Sequence, residues 1–186
     1  MENKIAEILD ESIRQELLVS DFYGLFEATF LYDWEFWYKL SKEELDHSAI
    51  LQAERDELCE AGLLPEELVP ADLEALKEQN RQLSDFLDSL KKSPPSIEQS
   101  LAIALFLEKA ITETIFRSCL KANPDTHALK IFKFMIDEDR AHIERILQHA
   151  AELKISLEKL SSLDRIMNDR QSEGLHHRYV ANDNNH

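Results

Sequence analysis

Four acids and two histidines have the types and spacing to hold metal ions: Glu16, Glu44, His47, Glu108, Asp139 and His142. His47 follows Glu44 by three residues in Glu44-Leu45-Asp46-His47. His142 follows Asp139 by three in Asp139-Arg140-Ala141-His142. On a helix such positions lie about 60° apart, so both side chains of each pair can reach one ion. Carboxylates are hard oxygen donors and imidazole is borderline, a mixture that suits iron or manganese and admits zinc.

The chemistry rests on where these acids fall in the hydrophobic pattern. A buried stripe recurs at heptad-like spacing on four segments. It reads Ile5, Leu9, Glu16, Val19, Tyr23, Phe30 on the first, and Trp37, Leu40, Glu44, His47, Leu51, Leu58 on the second. The third carries Leu101, Leu105, Glu108, Ile111, Ile115, Cys119, and the fourth Phe132, Ile136, Asp139, Ile143, Ile146, Ala150, Leu153. Each stripe holds one acid. Burying a lone carboxylate costs several kcal/mol, and four facing one another would repel. No Lys or Arg stripe matches them, and two divalent cations would supply +4 against −4. A further acid, Glu43 or Glu138, precedes each acid-x-x-His unit. These two are rotated about 100° off the stripe and are read as flank residues of little consequence. Tyr23 stands one heptad from Glu16 on the same face. It reads either as a partner of the site, with a phenol that hydrogen-bonds a ligand or is redox-active, or as a core ring. Trp34, Phe36, Trp37 and Tyr38 cluster at the start of the second segment, where packing is the simpler reading and the wall of an oxidant channel the alternative.

Helices must position these residues. Only 3 Gly and 5 Pro occur in 186 residues, and these are the costliest residues in a helix interior. No run of strict alternation argues for a strand. Helices are expected over about 2–30 and 34–61, with Asp33 an N-cap and Gly62 a C-terminal stop. A crossover near 63–70 leads to an extra amphipathic helix over about 71–92, which Pro94 and Pro95 end. Ser96 and Gln99 have capping-box spacing and open a helix to about 121. Residues 123–126 turn into one reaching about 154. The expected class is all-α, a four-helix bundle of two helical hairpins joined by a long crossover. The bundle is assigned to residues 1–155, a short C-terminal helix to 156–170 and a disordered tail to 171–186. His176, His177 and His186 in that tail are not read as ligands. Leu18, Phe22 and Leu25 form a second apolar stripe on the first helix, which calls for the crossover segment or another subunit; a homodimer is the expectation.

The order Glu16, Glu44-x-x-His47, Glu108, Asp139-x-x-His142, with the Phe22-Tyr23 pair after Glu16, resembles the ferritin-like superfamily, most closely its rubrerythrin-related branch. The resemblance covers roughly residues 10–150. It implies a centre of two iron ions, with manganese or a mixed pair as variants, that reacts with O2 or hydrogen peroxide. Such proteins act as ferroxidases, peroxide reductases or oxygenases on organic substrates. A metal-binding scaffold without activity is the other reading. In this branch Glu44 and Asp139 would be terminal or bridging carboxylates, with Glu16 and Glu108 completing the pair. Three features differ. The fourth-helix acid is Asp, Ile111 stands where rubrerythrins carry an exchanging Glu, and no rubredoxin domain is present. Ferroxidase chemistry is therefore expected ahead of peroxidase turnover, with electrons from Fe²⁺ or an external donor.

A formal net charge of −16 repels nucleic acid and anionic membrane and favours cationic partners, though it also serves solubility. The cysteines, Cys59 and Cys119, form no C-x-x-C pair, which excludes rubredoxin-type and zinc-ribbon sites. The first sixteen residues are charged throughout and lack a signal-peptide core. No apolar run approaches the roughly 20 residues that span a bilayer. A cytoplasmic location is expected.

Overall fold

The computed structural model describes residues 2–61, 73–119, 127–156 and 158–162, with side chains over 6–57, 73–109, 133–156 and 158–162. The crossover, Gly62, the 123–126 turn and the tail fall outside the described residues, as do most of 156–170 and the side chains of Ile111, Cys59 and Cys119. The described residues are helical and contain no strand: α1 (Glu2–Thr29), α2 (Trp34–Ala61), α3 (Leu73–Lys92), α4 (Ile97–Cys119) and α5 (His127–Glu152). None of these helices is long and apolar enough to cross a membrane.

The contacts follow from the stripes. α1 packs along α2 and α4 along α5, and the two pairs meet through α1 with α4 and α2 with α5. Val19, Tyr23, Trp37, Leu40, Leu51, Leu101 and Ile146 are buried as their stripe positions require. Leu153, placed at the end of the fourth stripe by its spacing, is exposed, because α5 stops at Glu152.

Between Glu16 and Tyr23 the α1–α2 seam is narrowed by two serines. Ser20 Oγ donates to the Ser41 carbonyl at 3.0 Å and Ser41 Oγ to the Ser20 carbonyl at 3.1 Å. Small residues let the backbones approach, and the reciprocal bonds hold them at one height.

The second apolar stripe of α1 finds its partner within the chain, so it no longer argues for a second subunit. α3 lies against it, burying Leu73, Leu76, Leu83 and Leu87. Phe22, fully buried, meets the Phe86 ring at 5.7 Å between centroids. Amid these leucines Asn80 is also fully buried. Its Nδ2 donates to the Glu11 carbonyl at 2.7 Å and to the Glu11 carboxylate at 2.8 Å, fixing α3 at one height on α1.

The capping box of α4 forms: Gln99 N donates to Ser96 Oγ at 3.3 Å and Ser96 N to Gln99 Oε1 at 2.8 Å. Asp33 does not cap α2 through its side chain as expected. Its carboxylate instead accepts from His149 Nε2 at 2.7 Å, tying the α1–α2 turn to α5. α5 ends in a Schellman turn, with Lys154 N donating to the Ala151 carbonyl at 3.0 Å and Ile155 N to the Ala150 carbonyl at 2.9 Å. Lys154 takes the left-handed conformation there, with φ 59°. A further helical turn at 158–162 buries Leu160 against the core.

Candidate metal centre

All six side chains singled out from the sequence meet in the interior. Glu16 and His142 have no exposed surface, Glu44 and Glu108 are 1% exposed, and His47 and Asp139 are 3% exposed. Each is there because its helix places it on an apolar stripe, and the acid-x-x-His spacing turns both members of each pair inward.

The ligand atoms fall into two groups that share one residue. Glu16, Glu44 and His47 have donor atoms within 4.8 Å of one another, and so do Glu44, Glu108 and His142. His47 Nδ1 stands 3.4 Å from Glu44 Oε2, 3.9 Å from Glu16 Oε2 and 4.0 Å from Asp139 Oδ1. His142 Nδ1 stands 2.9 Å from Glu44 Oε1 and 3.2 Å from Glu108 Oε1. The two imidazoles lie nearly parallel, 5.5 Å apart at 13°. Glu44 thus offers one oxygen to each group. Asp139 belongs to neither triad, but its oxygen faces His47 across the interface.

The residues fit metal ions on their own chemistry. Both oxygens of Glu16, Glu44 Oε1 and His47 Nδ1 are buried without a hydrogen-bond partner. A buried polar atom left so costs about 1–3 kcal/mol, more if charged. Glu44 Oε1 lies close to His142 Nδ1, yet the two are not aligned as donor and acceptor, as expected of atoms directed at a common point beside them. Among the described residues no Lys or Arg is buried. Divalent cations would satisfy all of these atoms together.

Without metal, the charges are shared unevenly. Burial, then the Glu44 charge, pushes Glu16 well above the usual carboxylate range and raises Glu108. Burial, then Glu108 and Glu44, raises Asp139 to about 7. Glu44 behaves differently. Burial works against its charge, but His142 and His47 lie against it and hold it down to about 2. Repulsion alone would raise all four acids; the histidines exempt the one they share. His142 rises to about 12, because Glu108, Glu43 and Glu44 outweigh its burial.

Glu43 corrects the flank reading. Its carboxylate binds the Arg145 guanidinium through two contacts, Nη1 to Oε1 at 3.0 Å and Nη2 to Oε2. Its Oε2 also stands 3.1 Å from Nε2 of His142, on the ring edge away from Glu44 and Glu108, an ion-pair distance at which the two are not aligned for a hydrogen bond. Burial opposes its charge, yet His142 and Arg145 hold it down to about 2. A carboxylate charge beside the outer nitrogen of a ligating histidine raises the basicity of the ring. Rotation off the stripe could not reveal this, since the partner, Arg145, is 102 residues away. Glu138 is half-buried and makes no comparable contact with a site histidine among those observed.

Tyr23 is fully buried, and its O–H donates to Glu108 Oε1 in a short hydrogen bond. Burial and then the Glu108 charge push its phenol well above its ordinary range. Of the aromatic cluster on α2, only Trp37 is fully buried, while Trp34 and Tyr38 are 45% and 49% exposed.

Fold and site together define an all-helical protein whose core gathers Glu and His side chains at metal-binding distance. Compared with known proteins, the chain matches no protein-family model, no curated protein and no solved structure.

Proposed function

We propose that the chain is a ferritin-like, rubrerythrin-related protein that holds two iron ions and reacts with O2 or hydrogen peroxide, chiefly as a ferroxidase. The observation that carries this reading is the sharing of Glu44 between two buried carboxylate–histidine triads. A single-metal site needs no residue with one oxygen committed to each of two ligand groups. Glu16, Glu44 and His47 would hold one ion, Glu44, Glu108 and His142 the other, with Asp139 facing His47 of the first. Bound iron would supply the electrons for an oxidant and open positions at which the oxidant can meet them.

The remaining work belongs to the chain. Leu40, Leu51, Leu101, Leu105 and Ile146 are buried on the same helices as the acids, in a core that excludes bulk water. Tyr23 holds the Glu108 carboxylate in place and keeps a proton on its phenol oxygen. Glu43, bonded to Arg145, places a negative charge 3.1 Å from the outer nitrogen of His142. Ferrous iron would be the reductant for ferroxidase turnover, and other cycles would draw on an external donor.

Metal analysis of protein purified from iron-supplied cells tests the reading, with optical spectra after Fe²⁺ and air are added to the metal-free form. About two irons per chain and a rapid rise in ferric absorption are expected, with the rise abolished in Glu44→Ala and Glu108→Ala. A metal-free product from loaded cells, or one ion held by tail histidines, would overturn it.

A further inference from the structure

The ring of Trp37 occupies an unusual position. It is fully buried and meets Tyr23 at 6.0 Å, Phe26 at 5.0 Å, Phe30 at 6.4 Å and Phe36 at 4.9 Å between centroids. On its inner side Tyr23 is hydrogen-bonded to Glu108. On its outer side Phe36 stacks on His149 at 3.9 Å and 15°. Both line a groove of about 630 Å³ at the α1–α2 turn, together with Tyr32, Trp34 and Lys39. The second branch, through Phe30, ends at Tyr32, which is 75% exposed. A continuous run of rings therefore joins the acid–histidine cluster to the surface.

Packing alone does not account for an indole at the hub. Its Nε1–H is buried without a hydrogen-bond partner, a penalty that a phenylalanine would not incur. What indole and phenol have and a phenyl ring lacks is ready one-electron oxidation. Among the described residues the two buried rings that can be oxidised, Tyr23 and Trp37, are neighbours, and only the inner one has a proton acceptor.

We propose that Tyr23 and Trp37 form an electron relay from the groove at the α1–α2 turn to the carboxylate–histidine cluster. The proposal rests on the redox role suggested above for that cluster. In each transfer Tyr23 gives one electron to a ferric ion that the cluster would hold, while its O–H bond breaks and the proton moves along the hydrogen bond to Glu108. Trp37 then returns one electron to the Tyr23 phenoxyl, and the proton returns from Glu108 to the phenol oxygen. An external one-electron reductant at the groove restores the Trp37 cation radical across Phe36. The net change is one electron moved inward and one reductant oxidised, with no proton retained. The missing acceptor at Trp37 Nε1 has a use here. The indole cannot shed its proton, so its radical cation stays strongly oxidising and short-lived and does not trap the charge.

The relay can be read without metal. Flash-generated ruthenium(III) tris-bipyridine, a cationic oxidant drawn to this acidic surface, withdraws electrons along the same path. In metal-free wild type, electron paramagnetic resonance of frozen samples should show a long-lived tyrosyl radical that disappears in Tyr23→Phe. Trp37→Phe, with unchanged circular dichroism, should lower that component to the Tyr23→Phe level, and Trp37→Tyr, which restores an oxidisable ring, should recover it. In iron-loaded protein, Trp37→Phe should slow reduction by the methyl viologen radical cation without changing the iron content. A Trp37→Phe variant that keeps the full Tyr23 radical, or a Trp37→Tyr variant that does not recover it, would overturn the relay. A chain that binds no iron would overturn the proposed function instead, and the metal-free radical measurement would still decide the relay.

Discussion

Replacing Glu43 provides a sharp test of the site, because it touches one of the two triads and leaves the other alone. Its carboxylate is bonded to Arg145 and stands 3.1 Å from the outer nitrogen of His142. The other triad, Glu16, Glu44 and His47, has no such contact with it. Removing an outer carboxylate of this kind weakens metal binding by roughly 10- to 100-fold, which is about 1.4–2.7 kcal/mol at about 1.36 kcal/mol per factor of ten. Cobalt(II) titration of metal-free protein, followed by its visible absorption, should show two tight ions in wild type. Glu43→Ala should retain one tight ion and bind the second more weakly by that factor. Glu43→Gln keeps an acceptor oxygen but not the charge and should fall between. Glu138→Ala, which removes the corresponding flank acid of α5, should titrate like wild type. Two unchanged binding steps in Glu43→Ala, or equal losses in Glu138→Ala, would refute the assignment of Glu43 to His142.

Three further outcomes are expected. Glu44→Gln should lose both ions, whereas Glu16→Gln and Glu108→Gln should each retain one, as counted by metal analysis after desalting. The metal-free protein should melt at lower temperature as pH rises from about 5 to 8. Asp139, raised to about 7, contributes stability that is present below its unfolded value of 3.8 and lost as pH climbs through about 7. His142, raised to about 12, loses its contribution between 6.5 and about 12. Glu44 acts oppositely, but its contribution is lost only as pH falls through about 2 and leaves this window untouched. Metal should reverse the trend, because its ligands must be deprotonated; a melting temperature that rises with pH in the metal-free protein would contradict the assignment. Finally, Lys154→Gly should raise the melting temperature by about 2–4 °C, since a left-handed non-glycine residue costs about 1 kcal/mol or more; scanning calorimetry would measure it.

Much of the site was legible in the sequence because an acid in an apolar stripe conflicts with its surroundings, and such a conflict shows without knowledge of the fold. Glu16, Glu44, Glu108 and Asp139 each declared themselves this way, and the i, i+3 spacing attached His47 and His142. Helix limits followed from sparse Gly and Pro and from the Ser96–Gln99 cap, whose bonds form as the spacing implied. What stayed hidden depends on contacts between distant segments. Glu43 looked like an ordinary flank acid because its role comes from Arg145 and His142 on another helix. Asp33 looked like a cap because the pull of His149 on its carboxylate has no local signal. The second apolar face of α1 announced that it needed a cover but not which one. Asn80, a polar residue among leucines, was the clue to α3 that pattern reading passed over.

The serine pair at the α1–α2 seam has a consequence for how this chain can change length. Ser20 and Ser41 hold two neighbouring helices at one height, a single turn from Glu16 on one side and from Glu44 on the other. One helical turn is about 5.4 Å, more than the 3.4–3.9 Å that separates His47 Nδ1 from Glu44 and Glu16. A slip of one turn would therefore dismantle the first triad while leaving most of the apolar seam able to re-pair. An inserted residue between Ser20 and Glu16 would swing the acid by about 100°, whereas one added near Thr29 would shift neither. The hydroxyls act as a datum from which the distance to the ligands is measured along the chain. Length variation should thus be tolerated beyond the pair, toward the turn, and rejected between the pair and the acids.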